Sequence, residues 1–420
     1  MIKLLDNTKI SWYNYFYMLC MMVNLGYATV FARSLGNIST WGNTFGIIIT
    51  IIFIYNNKIK FNSKYFISIA IFLIYATITS INNGLVNPLW ISQWIIWLSI
   101  AYCICYAFKN NLFIIYESVM FQLCIISMIF WTIHIISPET IIRIATTFEF
   151  STPHGGDNSN VLKNIIFYTI NRYGSNEFSL LTRNAGFAWE PGAFSSYICL
   201  AIFCNCLRSN FRIKHNYVLV MFIITLFSTQ STTGIMIFLI MIIVWLIING
   251  KFLISFLLLP ILIYVFRLPF VQDKLFYEWG NLGEFDLSKI DSSGIYTIGR
   301  MQSLVINWQE FLRHPLIGLG GWRGGTWLNQ FGYDNISTIS GIGEMLAMYG
   351  AIMTSIFLIL LFKSARKIAT TMSKNGYLLL VVIIGMMFSY SLWDHPIYIC
   401  FWMYAIYNSS SINKNYKITK

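Results

Sequence analysis

Residues 112–136, LFIIYESVMFQLCIISMIFWTIHII, hold one acid, Glu117, in a run longer than the about 20 residues an α-helix needs to cross a bilayer. No polar face repeats at helical spacing, as it would on a helix at the surface of a soluble protein. Similar runs precede it near 11–31, 38–55, 65–82 and 89–108, and follow it near 190–207, 217–230, 232–249, 252–268, 339–362, 377–392 and 396–408. The pattern predicts an all-α, polytopic membrane protein with about 12 transmembrane helices, in a range of 10–12 because several runs are short. Composition points the same way: 57% of the 420 residues are hydrophobic and only 10% charged, with a mean hydropathy of +0.63. So few charges cannot cover the surface of a soluble fold, and lipid must act as the solvent. The opening MIKLLDNTKI leads into an aromatic-rich apolar run without a small-residue cleavage site, which reads as an uncleaved first span.

The runs divide the chain into helices 1–5 (1–136), a first outer loop (137–189), helices 6–9 (190–268), a large outer loop with an amphipathic helix (269–338), and helices 10–12 with a tail (339–420). The net charge of +12 fits membrane topology better than nucleic acid, since the basic residues cluster in the breaks between runs. With both termini in the cytoplasm, 14 Lys and 3 Arg lie inside, and 3 Lys and 8 Arg lie outside, almost all of the latter in the two exempt long loops. Topology needs only positive charge, whereas arginine adds a planar fork that grips phosphate or carboxylate. The outer arginines therefore point to an anionic ligand there or to Arg–carboxylate pairs, because most acids share those loops. All eight cysteines fall in apolar runs, where they read as small buried hydrophobes. The five histidines show no metal spacing, and no metal or cofactor is expected.

Three polar segments and one embedded acid stand out. Arg183–Gly192, RNAGFAWEPG, runs into the span that starts near Ala193. Glu190 ahead of Pro191 either complements the positive end of the helix or serves as a general base, and Arg183 either binds phosphate or pairs with Glu190. In the larger loop, Leu304, Val305, Trp308, Phe311 and Leu312 share one face of a helix that begins at Arg300 and ends before Pro315. Such a helix lies on the membrane or against the bundle. The glycine-rich GLGGWRGG of 318–325 then places Arg323 either beside an anion-binding nest or in a flexible loop. In Ser228–Gly234, STQSTTG, hydroxyls are expected to satisfy backbone groups at a helix junction. Glu344 falls inside a span or at its outer interface, and an embedded carboxylate is a functional candidate by default. Arg172, Arg313, His314 and His395 complete the polar outer-face residues, although Trp393-Asp394-His395-Pro396 reads first as a tight turn.

In this order, RNAGFAWEPGAF, STQSTTGIMIF, GRMQSLVINWQEFLRHPLIGLGGW and SGIGEMLAMYGAI resemble the O-antigen polymerase and O-antigen ligase superfamily. The resemblance covers roughly residues 183–352; the N-terminal half matches only as a series of spans. It implies a metal-independent, GT-C-like glycosyltransferase in the bacterial inner membrane, acting at the periplasmic face on an undecaprenyl-diphosphate-linked oligosaccharide. Arg183 and Arg300 would hold the diphosphate, Glu190 would take the proton of the attacking hydroxyl, and Arg172, Arg313, His314, Arg323, Glu344 and His395 would contact substrate. The lipid bilayer and a polysaccharide chain-length regulator are the implied partners, and nucleic acid is not. Ligases usually carry a histidine where this chain has Ile339-Ser340, and the Glu-Pro pair is polymerase-like, so polymerase is favoured. The alternative of another class is a lipid-linked oligosaccharide flippase. The nearly charge-free spans and the lack of an evident repeat between halves argue against it.

Overall fold

The computed structural model describes residues 10–24, 37–84, 86–147, 151–153, 161–165, 167–170, 182–257, 260, 263, 267, 296–297, 299–321, 326–330 and 336–408. Helices α1 (Trp12–Asn24), α2 (Asn37–Asn56), α3 (Ser63–Asn83), α4 (Pro88–Phe108) and α5 (Leu112–Ile136) form the N-terminal half. After α6 (Pro138–Thr147) come short strands β1 (Ser151–Pro153), β2 (Val161–Ile165) and β3 (Tyr168–Ile170). Helices α7 (Pro191–Ser209), α8 (Tyr217–Ser228), α9 (Thr232–Ile248) and α10 (Phe252–Leu257) follow. The second long polar segment holds β4 (Tyr296–Thr297), α11 (Arg300–Arg313), α12 (Trp327–Gln330) and β5 (Ile336–Ser337). The chain closes with α13 (Gly341–Thr371), α14 (Leu378–Met387), α15 (Pro396–Trp402) and α16 (Tyr404–Tyr407).

The architecture is mostly helical, and three helical stretches, Ser63–Asn83, Pro88–Ile136 and Gly341–Thr371, are long and apolar enough to cross a membrane. Capping sets several boundaries. Asn62 accepts from the Tyr65 amide before α3, Gly84 ends that helix at a φ of +65°, and Asn87 with Pro88 opens α4. Helix α7 is buried from Pro191 to Leu207 among α5, α8, α9 and α14, which explains why it is apolar all round. By contrast, Ile47, Ile48, Ile51 and Ile52 of α2 and Phe66, Ile67, Ile74 and Ile78 of α3 are exposed, the arrangement expected of faces turned to lipid. All eight cysteines are free and buried.

Glu117 is held by Arg208 through Nε at 3.2 Å and Nη2 at 2.5 Å, and by Asn205 Nδ2 at 2.7 Å. Asn216 bonds Asn205 in turn, so α5, α7 and the start of α8 are clamped at one end of the bundle.

The first long polar segment has more order than its sequence suggests. Strands β1, β2 and β3 form an antiparallel sheet that packs Ile165, Tyr168 and Ile170 on Ile141 and Ala145 of α6. His134 Nδ1 and the Tyr168 hydroxyl lie 3.0 Å apart and tie this sheet to α5. In the second long polar segment, β4 pairs with β5 in parallel and brings the two ends flanking α11 together.

Helix α11 forms where its periodicity places it, but its contacts are reversed from those of a helix with an apolar inner face. Ser303, Asn307 and Glu310 are buried toward α13, while Val305, Trp308 and Leu312 are exposed. Its polar stripe is turned into the protein, where Asn307 Nδ2 has no hydrogen-bond partner among the described residues, and its apolar stripe faces outward, as on an interfacial membrane helix. A Cβ on Gly343 of α13 would come 2.9 Å from Asn307 Cβ, so glycine permits this close crossing.

Beyond α11 the chain turns into a break in α13. Gly350 has φ +66° and ψ −177°, a conformation essentially limited to glycine. The amides of Leu319 and Gly320 donate to the carbonyls of Ala347 and Met348, and those of Ala351 and Ile352 donate to Pro315 and Leu316. The Tyr75 hydroxyl adds bonds to the Ile317 and Met348 carbonyls. Every one of these pairings satisfies backbone that the break would otherwise leave unpaired in an apolar setting. Of the glycine-rich stretch 318–325, expected either as an anion nest or as a flexible loop, residues 322–325 lie outside the described residues, and residues 318–320 form no nest. The amides of Gly318, Leu319 and Gly320 are spent on carbonyls, that of Gly318 on His314. Gly318 is glycine because a Cβ there would lie 2.5 Å from the Met348 carbonyl carbon.

Candidate functional site

The segment 182–190 folds back onto the bundle through Asn184, a fully buried amide. Its Nδ2 donates to Ser228 Oγ at 3.0 Å, its Oδ1 accepts from the Gly186 amide at 2.9 Å, and its own amide donates to the Ser228 carbonyl. Gly186, at φ +51°, lets the chain turn against the Phe194 ring. This anchoring holds Arg183 half-buried, with Nε donating to the Thr229 carbonyl at 3.2 Å. Glu190 precedes Pro191 at the start of α7 in extended conformation and is half-buried.

Ser228–Gly234 does the structural work expected of it. Ser228 and Thr229 hydroxyls donate to the carbonyls of Thr225 and Leu226, and Ser231 caps α9 by accepting from Gly234. It also reaches the site: Thr229 holds Arg183, Ser195 bonds Ser231 at 3.0 Å, and Thr233 meets Ser389 at 2.7 Å.

Arg300, the first residue of α11, approaches from the other side. Its Nη2 donates to the Tyr390 hydroxyl at 3.1 Å, and the guanidinium carbon lies 5.6 Å from the centre of that ring. Trp189 stands edge-on to Tyr390 at 6.4 Å. A Cβ on Gly192 would fall 1.6 Å from the Tyr390 hydroxyl, and one on Gly341 would fall 2.2 Å from the Tyr390 carbonyl. The glycines of EPGAF and SGIGE are thus the floor on which Tyr390 rests.

Arg183, Glu190, Arg300 and Tyr390 come close enough for their charges to interact, although they lie far apart in the chain. Burial lowers the Arg183 pKa from the ordinary arginine value, Tyr390 and Glu190 oppose that shift, and the like charge of Arg300 adds to it. Two guanidiniums share this neighbourhood with Glu190, and paired guanidiniums are suited to gripping an anion with several oxygens.

No protein-family model and no curated protein matches the sequence.

The remaining expected residues divide sharply. Glu344 sits in the first turn of α13, one turn beyond Gly341, and is half-buried. Arg313 and His314 lie at the far end of α11, about 20 Å along its axis from Arg300, so the helix separates them from the cluster. Arg313 is 3.9 Å from Glu310, and the His314 amide closes the helix on the Glu310 carbonyl. His395 is buried and caps α15, with Nδ1 accepting from the Ile397 amide at 3.3 Å. Burial lowers its pKa to about 3, so it is a neutral turn residue at physiological pH. Arg172 and Arg323 lie outside the described residues. Sequence reasoning missed Tyr390, which it placed inside the apolar run 377–392, near its end.

Proposed function

We propose that the chain is an oligosaccharide repeat-unit polymerase of the bacterial inner membrane, with about 12 spans, a GT-C-like architecture and both termini in the cytoplasm. The observation that carries the reading is the convergence of Arg183, Glu190 and Arg300 around Tyr390, from segments expected to act together. In this reading Arg183 and Arg300 grip the diphosphate of an undecaprenyl-diphosphate-linked glycan. The acceptor hydroxyl of a second lipid-linked unit attacks the anomeric carbon while Glu190 takes its proton. The sugar–phosphate bond breaks, and the lipid diphosphate leaves with its growing charge neutralised by the guanidiniums. Tyr390 positions Arg300 and narrows the floor of the site. The product is O-antigen or capsular polysaccharide.

Deletion of the gene tests this. The surface polysaccharide should collapse from a ladder to a single repeat, wild type should restore it, and Arg183→Ala or Arg300→Ala at matched membrane levels should not. Glycan chains that accumulate on the lipid carrier without reaching lipid A would indicate a ligase instead. An unchanged ladder in the deletion strain would refute the polymerase and the ligase alike.

A further inference from the structure

A cavity of about 220 Å³ is walled by α3 and α4 on one side, α13 on the other, and α15 and α16 behind, and neither Arg183 nor Arg300 lines it. Its lining is almost wholly apolar, with Ile67, Ile71, Leu98, Met353 and Leu360 along the length and Lys64 as its one charged residue. Ser68, the polar group nearest Lys64 in sequence, is spent on the Tyr65 carbonyl and the Tyr407 hydroxyl. At the opposite end Trp94, Tyr349 and Trp393 close the groove, their ring centres 5.0 to 5.8 Å apart. Both indole N–H groups of Trp90 and Trp94 donate to the Tyr349 hydroxyl, which leaves the buried Trp393 Nε1, among the described residues, as the unpartnered indole N–H of this cluster.

Charge gives the groove a direction. Lys64 is exposed at the open end, and Lys367 is near enough for the two charges to interact. Asp394 acts on Tyr349 at the closed end, and Glu344 adjoins the lining residue Met345 there. An anionic head is attracted to one end and repelled from the other. The length selects the tail. Lys64 to Phe72 is eight residues of α3, about 12 Å at about 1.5 Å per residue, close to one leaflet's half of the about 30 Å hydrocarbon thickness.

We propose that this groove binds one acyl chain of an anionic phospholipid from the leaflet on the Lys64 side, with the headgroup phosphate at Lys64. The chain enters tail first and ends against the Trp94–Tyr349–Trp393 cluster. The site does not depend on the polymerase reading, because it uses none of Arg183, Glu190, Arg300 and Tyr390.

Native mass spectrometry of the full-length protein in detergent, offered equal amounts of phosphatidylglycerol and phosphatidylcholine with the same chains, tests it. Wild type should retain the first phosphatidylglycerol about fivefold better, the size of effect one basic residue exerts on an anionic lipid. Lys64→Gln should lower phosphatidylglycerol to the level of phosphatidylcholine, and Lys64→Arg should preserve the preference. Ile71→Trp fills the groove from a half-exposed position and should remove the tightly held lipid of either kind; Met353→Trp, from the opposite wall, should do the same. Equal retention of the two lipids by wild type would overturn the proposal. So would a phosphatidylglycerol adduct that survives both tryptophan variants in protein that elutes as wild type does.

Discussion

Tyr390 stands on Gly192 and Gly341, takes a hydrogen bond from Arg300, and shares an electrostatic neighbourhood with Arg183 and Glu190. Gly192→Ala should therefore destabilise the protein by about 1–3 kcal/mol, the usual cost of overpacking a filled site. Tyr390→Phe in the same chain should recover part of that loss, because it deletes the oxygen 1.6 Å from the added methyl; thermal unfolding in detergent reads both. Arg183→Ala and Arg300→Ala should each lower polymer formation about 100-fold, the scale at which a preorganised charge-stabilising donor acts. Both variants should unfold near the wild-type temperature if the arginines serve an anion rather than the fold. The two arginines and Glu190 are legible in the sequence because their segments are polar islands next to apolar runs. Tyr390 is not legible. It lies in SYSLWDHP, where local chemistry signals only a turn, and its role arises from three distant segments packing on its ring and hydroxyl.

Among the elements, α13 shows most clearly where local pattern fails. SGIGEMLAMYGAI reads as an uninterrupted span opening, and a single glycine at 350 gives no reason to expect a break. The break exists because residues 315–320, about 30 positions earlier, supply backbone partners on both sides of it. Gly350→Ala would force an alanine into a glycine-only conformation and drive its Cβ within 2.4 Å of the Leu316 carbonyl oxygen. A loss of about 3 kcal/mol or more in unfolding free energy is expected. The same substitution at Gly84, also at positive φ but with open space around it, should cost only about 1 kcal/mol. Helix α11 makes the complementary point. Its periodicity correctly marks an apolar stripe, but which stripe turns inward depends on the solvent outside, and in lipid the polar stripe is the one to bury.

At the scale of the whole molecule, the described parts of most apolar runs are helical, with three stretches long and apolar enough to cross a membrane and the run 252–268 described only in part, because run length and charge exclusion are local properties. The small sheet after α6 was not legible: its strands are three to five residues long and are stabilised by α6 rather than by their own pattern. Buried His395 links global stability to pH. With a folded pKa of about 3 against about 6.5 in the unfolded chain, its contribution is intact above about pH 6.5. As pH falls below that value the unfolded state binds the extra proton, and stability declines by up to about 1.4 kcal/mol per pH unit toward pH 3. Denaturation curves at pH 7 and pH 5 should differ in wild type, and the difference should shrink in His395→Gln. The convergence of the two arginines on one site is tested most directly with purified protein and an undecaprenyl-diphosphate-linked repeat unit, by following the lengths of the glycans formed. Wild type should extend the glycan while Arg183→Ala and Arg300→Ala leave it at one unit; extension by either variant at the wild-type rate, or none by folded wild type, would contradict the account.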